Sequence, residues 1–123
     1  MIVIERVGHI GLNVSNLDDS LNFYQELFDF EVVERINNSN NAYIRVGDIL
    51  ICLYEVDGYR DQKGVKNRIS FFIDDDDFDD ALDELKEREI SIVFGPENLK
   101  DGRRIVFLDP DKNEIELCYQ GVK

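Results

Sequence analysis

The sequence predicts an α+β protein of two βαβββ modules that form a curved mixed sheet with helices outside. Three observations predict it. Runs of period two alternate with two stretches of helical period, in the order strand, helix, strand, strand, strand. That order occurs twice, over about residues 1–56 and 66–121, with residues 57–65 as a linker inside one domain. Short segments of the halves also align: Gly8-His9-Ile10-Gly11-Leu12 with Asn67-Arg68-Ile69-Ser70-Phe71, and Ile51-Cys52-Leu53-Tyr54 with Glu116-Leu117-Cys118-Tyr119. Equal lengths and a matched order of elements identify an internal duplication.

In the first module, Arg6 to Val14 reads as a strand, with Ile10, Leu12 and Val14 alternating with His9, Gly11 and Asn13. Ser15-Asn16 caps a helix with Asp18 and Asp19 in its first turn, and Leu17, Leu21, Tyr24 and Phe28 recur at helical spacing. Phe30 to Ile36 is a strand, Asn37 to Asn41 a polar turn, and Ala42 to Val46 and Ile49 to Glu55 are two strands around Gly47-Asp48.

After the linker, which holds Gly58 and Gly64, Arg68 to Ile73 is a strand. Phe78, Ala81, Leu82 and Leu85 mark a helix, and Ile90 to Phe94 is a strand. Gly95 to Arg103 reads as a polar loop. Two last strands flank Asp109-Pro110-Asp111-Lys112-Asn113, where Asp109 can bond back to the backbone and Pro110 presets φ. The last strand sets Glu114, Glu116 and Cys118 on one face, and Ile115, Leu117 and Tyr119 on the other.

Composition excludes several functions. A net charge of −13 leaves no basic face for nucleic acid and disfavours anionic membranes. Acidic Asp74 to Asp80 precedes a helix and suits its N-terminal dipole; the spacing lacks the glycine and terminal glutamate of a calcium loop. Cys52 and Cys118 are too few for a disulfide framework and fit no zinc spacing, so they read as buried free thiols. The start is too short and too early charged for a signal peptide, and no apolar run approaches a membrane span. A cytoplasmic, soluble protein is expected.

Strand parity collects the candidate pocket. His9, Gly11 and Asn13; Ile49, Ile51 and Leu53; Arg68, Ser70 and Phe72; and Glu114, Glu116 and Cys118 are expected on the concave side. Arg103, Arg104, Tyr59 and Arg60 lie where they could close over a ligand.

Val7-Gly8-His9-Ile10-Gly11-Leu12, then Leu17-Asp18-Asp19-Ser20-Leu21-Asn22-Phe23-Tyr24, and finally Phe107 to Leu117 make the chain resemble the vicinal oxygen chelate superfamily. That group includes glyoxalase I, fosfomycin- and bleomycin-resistance proteins and extradiol dioxygenases. The resemblance covers nearly the whole chain and implies a glyoxalase-like fold, a homodimer and a divalent metal (Zn, Ni, Mn or Fe). Its ligand positions match His9 and Glu116, an incomplete site, because Arg68 and Ile51 stand at the other two. Arg68 is a fixed positive charge where a ligand would be.

Two functions of different class follow. One is a glyoxalase-like lyase or isomerase, related to lactoylglutathione lyase, with His9 and Glu116 holding a metal or acting as acid and base. The other is a metal-independent protein of the bleomycin-resistance kind that sequesters a small molecule. In either, Arg68, Asn13, Ser70, Phe72, Ile51 and Arg104 are expected to line the ligand site. Arg68 would pair with Glu116 or clamp a carboxylate, phosphate or enediol oxygen. Ile49, Ile51, Leu53 and Phe72 form an apolar patch that suits a two-fold partner.

Overall fold

The structure, a computed structural model, describes residues 1–35, 40–64 and 66–120. The expected polar turn at Asn37 to Ser39, the end of the strand at Ile36 and linker residue Val65 lie outside the described residues. The chain divides into two compact units, Met1–Lys63 and Gly64–Lys123.

The first unit holds β1 (Ile10–Val14), α1 (Leu17–Phe28), β2 (Glu31–Arg35), β3 (Asn41–Val46) and β4 (Ile49–Glu55). Its four strands form one mixed sheet in the order β1-β4-β3-β2, with β1 parallel to β4 and the rest antiparallel. The second unit repeats the plan with β5 (Arg68–Phe72), α2 (Phe78–Glu87), β6 (Ile92–Leu99), β7 (Gly102–Leu108) and β8 (Glu114–Gln120), in the order β5-β8-β7-β6. Both are the βαβββ unit that the repeat foretells. No helix among the described residues is long and apolar enough to cross a membrane.

One face of each sheet is sealed by its helix. In the first unit Leu12, Val14, Ala42, Ile44, Ile51 and Leu53 are buried, together with Leu17, Leu21 and Tyr24 of α1. The helix begins where Asn16 Oδ1 accepts the Asp19 N–H at 3.0 Å, while Glu55 Oε2 at the end of β4 accepts the Leu17 N–H at 2.8 Å. In the second unit Ile105, Phe107, Ile115 and Leu117 are buried with Phe78 and Leu85 of α2. Arg103 belongs to this helix side, stacked 4.4 Å from the Phe78 ring centroid, with its Nε donating to the Tyr119 hydroxyl and a guanidinium nitrogen 2.9 Å from Asp79.

Some boundaries differ from the sequence reading. Residues 1–9 precede the first regular strand, which starts at Ile10 and not Arg6. The expected loop at Gly95 to Arg103 is mostly strand, since β6 runs to Leu99 and β7 starts at Gly102. Gly95 permits this: its φ of +86°, at a register shift between Phe94 and Glu97, brings the position where a Cβ would stand to 2.7 Å from the Arg104 carbonyl oxygen. Tyr59 and Arg60, expected near a ligand, occupy a short 3₁₀ turn where Tyr59 is buried and the Arg60 N–H is bonded to Ser15 Oγ.

Asp74 opens a second 3₁₀ turn, Asp75–Asp77, by accepting the Asp76 N–H. That bond holds the Asp74 carboxyl below its usual range, and its hydrogen bond to Asp75 raises the latter. Asp74 thus caps the 3₁₀ turn ahead of α2, while Asp77 at the N-cap of α2 makes no side-chain cap bond.

Candidate functional site

The face of the second sheet away from α2 carries the charged residues. The parallel register sets Arg68 beside Glu114, Ser70 beside Glu116 and Phe72 beside Cys118. Side chains follow that register. Arg68 Nε donates to Glu114 Oε1 at 2.7 Å, and Ser70 Oγ donates to Glu116 Oε1 at 2.6 Å. Glu116 is not the partner of Arg68, as one expectation had it. Its other oxygen instead accepts from Arg104 Nη1 at 3.3 Å.

Arg104 is fixed more firmly than its place in the sequence suggests. Its Nε donates to Glu97 Oε1 at 2.9 Å, and its guanidinium carbon lies 4.7 Å from the Phe94 ring centroid. The hydrogen bond to Glu97 is the largest influence that raises its pKa further above an already high value. Arg68, Val93, Phe94, Arg104, Val106 and Glu114 line a cavity of about 350 Å³. Glu97 and Phe94 were missed because they were assigned to a loop and to a strand end. Phe72 is 68% exposed on the same face.

In the first unit the sheet face away from α1 gathers Gly11, Asn13, Tyr43, Cys52 and Tyr54, since Gly11 and Tyr43 lie beside Cys52, and Asn13 beside Tyr54. His9, just before β1, is exposed. Its Nε2 lies 3.1 Å from the Tyr54 hydroxyl, and its ring meets Tyr43 edge-on with centroids 5.5 Å apart.

Ile51 is a correction. It pairs with Ile10 and Ile44, is 3% exposed and lies on the helix-covered side; Leu53, beside Leu12, does the same. Neither can line a ligand site on the open face. By register the residue of β4 that corresponds to Glu116 of β8 is Cys52, because Gly11 is beside Cys52 as Ser70 is beside Glu116. Cys52 and Cys118 are both free and buried, as read from the sequence.

These residues fit a divalent ion poorly. A guanidinium has no lone pair, so Arg68 cannot ligate, and its charge opposes a cation. Both Glu116 oxygens already accept hydrogen bonds. Cys52 could supply a soft thiolate but is fully buried.

The comparisons with known proteins agree with the topology. The profile of the Glyoxalase/Bleomycin resistance protein/Dioxygenase superfamily matches residues 6–117. The chain is 32% identical to the metallothiol transferase FosB of Staphylococcus epidermidis, over 93% of this chain and 81% of that one. It is 27% identical to the fosfomycin resistance protein FosX of Listeria monocytogenes, over 94% of this chain and 90% of that one. A crystal structure of FosX from Listeria monocytogenes, complexed with Mn(II) and a sulfate ion, superposes with a TM-score of 0.80 at 26% identity, covering 98% of this chain and 93% of that one. FosX is a fosfomycin resistance protein, one of the branches that the sequence resemblance includes. With a profile that spans both βαβββ units and relatives aligned over nearly its full length, the chain belongs to the Glyoxalase/Bleomycin resistance protein/Dioxygenase superfamily.

Proposed function

We propose that the chain binds a small molecule through a phosphonate, phosphate or carboxylate group, and that Arg68 holds this group without a metal ion. The observation that supports it most is the place of Arg68. It stands on the open face, lines the cavity and has a side chain 52% exposed, ion-paired with Glu114. An ion pair so exposed contributes about 1 kcal/mol or less, so a ligand oxyanion can replace Glu114 at little cost. Two parallel N–H donors suit a phosphonate or carboxylate. Ser70 and Arg104 hold Glu116 in place beside it, which favours a binding role over the glyoxalase-like lyase. The relatives' fosfomycin resistance supports a phosphonate as the ligand class; lactoylglutathione lyase chemistry has no comparable support.

Isothermal calorimetry with fosfomycin and with methylphosphonate tests the reading, with and without a chelator. Binding should survive the chelator, and Arg68→Ala should weaken it about tenfold or more, the loss of a charge-assisted hydrogen bond. Binding that requires Mn²⁺ and ignores Arg68→Ala would overturn the reading and favour a metal-dependent enzyme. We further propose a homodimer, on the exposure of Ile10, Ile49, Phe72, Val93 and Phe94. Light scattering that gives 14.3 kDa at micromolar concentration would count against it.

A further inference from the structure

We propose that Tyr54 converts His9 from a metal ligand into a hydrogen-bond donor, by filling the lone pair on Nε2. The inference stands on the first unit alone and does not depend on the Arg68 clamp.

The geometry carries it. The Tyr54 hydroxyl lies 3.1 Å from His9 Nε2. The imidazole and the Cys52 thiol both stand near this hydroxyl, with Tyr43 close by. Sulfur accepts hydrogen bonds weakly, and an imidazole nitrogen with a free lone pair accepts strongly. The phenol proton therefore goes to Nε2. Neutral imidazole carries one proton, so Nδ1 holds it. His9 then offers an N–H to a ligand and no electron pair to a cation.

Gly11 shows that the position of the phenol is built. The Tyr54 ring lies over Gly11, and a Cβ there would sit 2.9 Å from Tyr54 Cε2 and 3.5 Å from Cδ2. Gly11 has ordinary strand pairing in β1, so no turn or positive φ calls for glycine. Room for the ring is what its missing side chain provides. Tyr43 closes the other flank, edge-on to the imidazole.

His9 is the chain's single histidine, so its ring nitrogens can be read without ambiguity. The experiment is long-range ¹H–¹⁵N correlation on protein with ¹⁵N-labelled histidine, for wild type, Tyr54→Phe and Gly11→Ala, followed by titration with Zn²⁺ alone. Wild type should show the proton on Nδ1. Tyr54→Phe removes the hydroxyl but keeps the ring, and Gly11→Ala keeps the hydroxyl but displaces it. Both should move the proton toward Nε2. Both should also bring the His9 signals under Zn²⁺ at about tenfold lower concentration than wild type, the equivalent of one hydrogen bond. A wild-type proton on Nε2 would overturn the proposal. So would wild-type signals that shift as early with Zn²⁺ as those of both variants.

Discussion

Tyr43 and Tyr54 give the first unit a dependence on pH that can be measured residue by residue. Both phenols titrate above their usual 10.0, Tyr43 chiefly through the charge of Cys52, and Tyr54 chiefly through its hydrogen bond to Cys52, with burial adding to each. The folded protein keeps these protons where an unfolded chain, with phenols at the ordinary value, has released them. Stability is therefore whole below about pH 10 and lost as pH rises above it. Urea midpoints across the alkaline range should fall more steeply for wild type than for Tyr43→Phe or Tyr54→Phe; parallel curves would show that the two phenols do not drive the loss. None of this was legible beforehand. Leu50, Ile51, Cys52 and Leu53 are apolar on both faces because β4 is a central strand, so alternation gave no sign of which side faced the helix. Ile51 was taken for a pocket residue, and Cys52 with its two tyrosines went unseen. On β8 the charges marked the faces, and Glu114 and Glu116 were placed on the side where they stand.

At the scale of elements, the β7–β8 hairpin is the part most firmly written in the sequence. The carboxylate of Asp109 accepts the N–H groups of Asp111 and Asn113 at 2.9 and 2.8 Å, and the Asn113 side-chain amide at 3.0 Å. Lys112 completes the turn with φ +67°, and Asp109, Asp111 and Asn113 are all buried. A turn residue that bonds to its own backbone is a local rule, which is why Asp-Pro-Asp-Lys-Asn could be read without the fold. Asp109→Ala takes away the carboxylate that accepts these three bonds and should cost roughly 3 kcal/mol, seen as a lower midpoint of urea unfolding. Asp109→Asn keeps one acceptor and should cost less; equal losses would mean that turn shape and not these bonds sets the stability. The β6–β7 turn was misread for the opposite reason. Pro96 and polar Glu97 and Asn98 look like loop, and only the register shift at Gly95 lets the ladder continue through them.

For the whole molecule, a net charge of −13 works against compactness, since like charges repel more strongly in the folded chain. The ion pairs Arg68–Glu114, Arg103–Asp79 and Arg104–Glu97 offset part of it, yet carboxylates outnumber cations by 27 to 14. Salt screens both, with a Debye length of about 10 Å at 0.1 M and about 3 Å at 1 M. The repulsion is spread more widely, so the thermal midpoint should rise by about 5 °C from low salt to about 0.5 M NaCl. A falling midpoint would mean that the ion pairs dominate.

In both units the strand that comes first in the chain pairs with the one that comes last, β1 with β4 and β5 with β8. A growing polypeptide therefore cannot finish either sheet piecemeal on the ribosome. β1 emerges with no lateral partner and waits until Glu55 has followed, and β5 waits in the same way for β8. Translation that pauses inside a module strands an apolar ribbon, whereas a pause after Lys63 has left the ribosome leaves a completed sheet behind it. Protease resistance of arrested nascent chains of increasing length should rise in two steps, and a single step at full length would show that neither sheet closes alone.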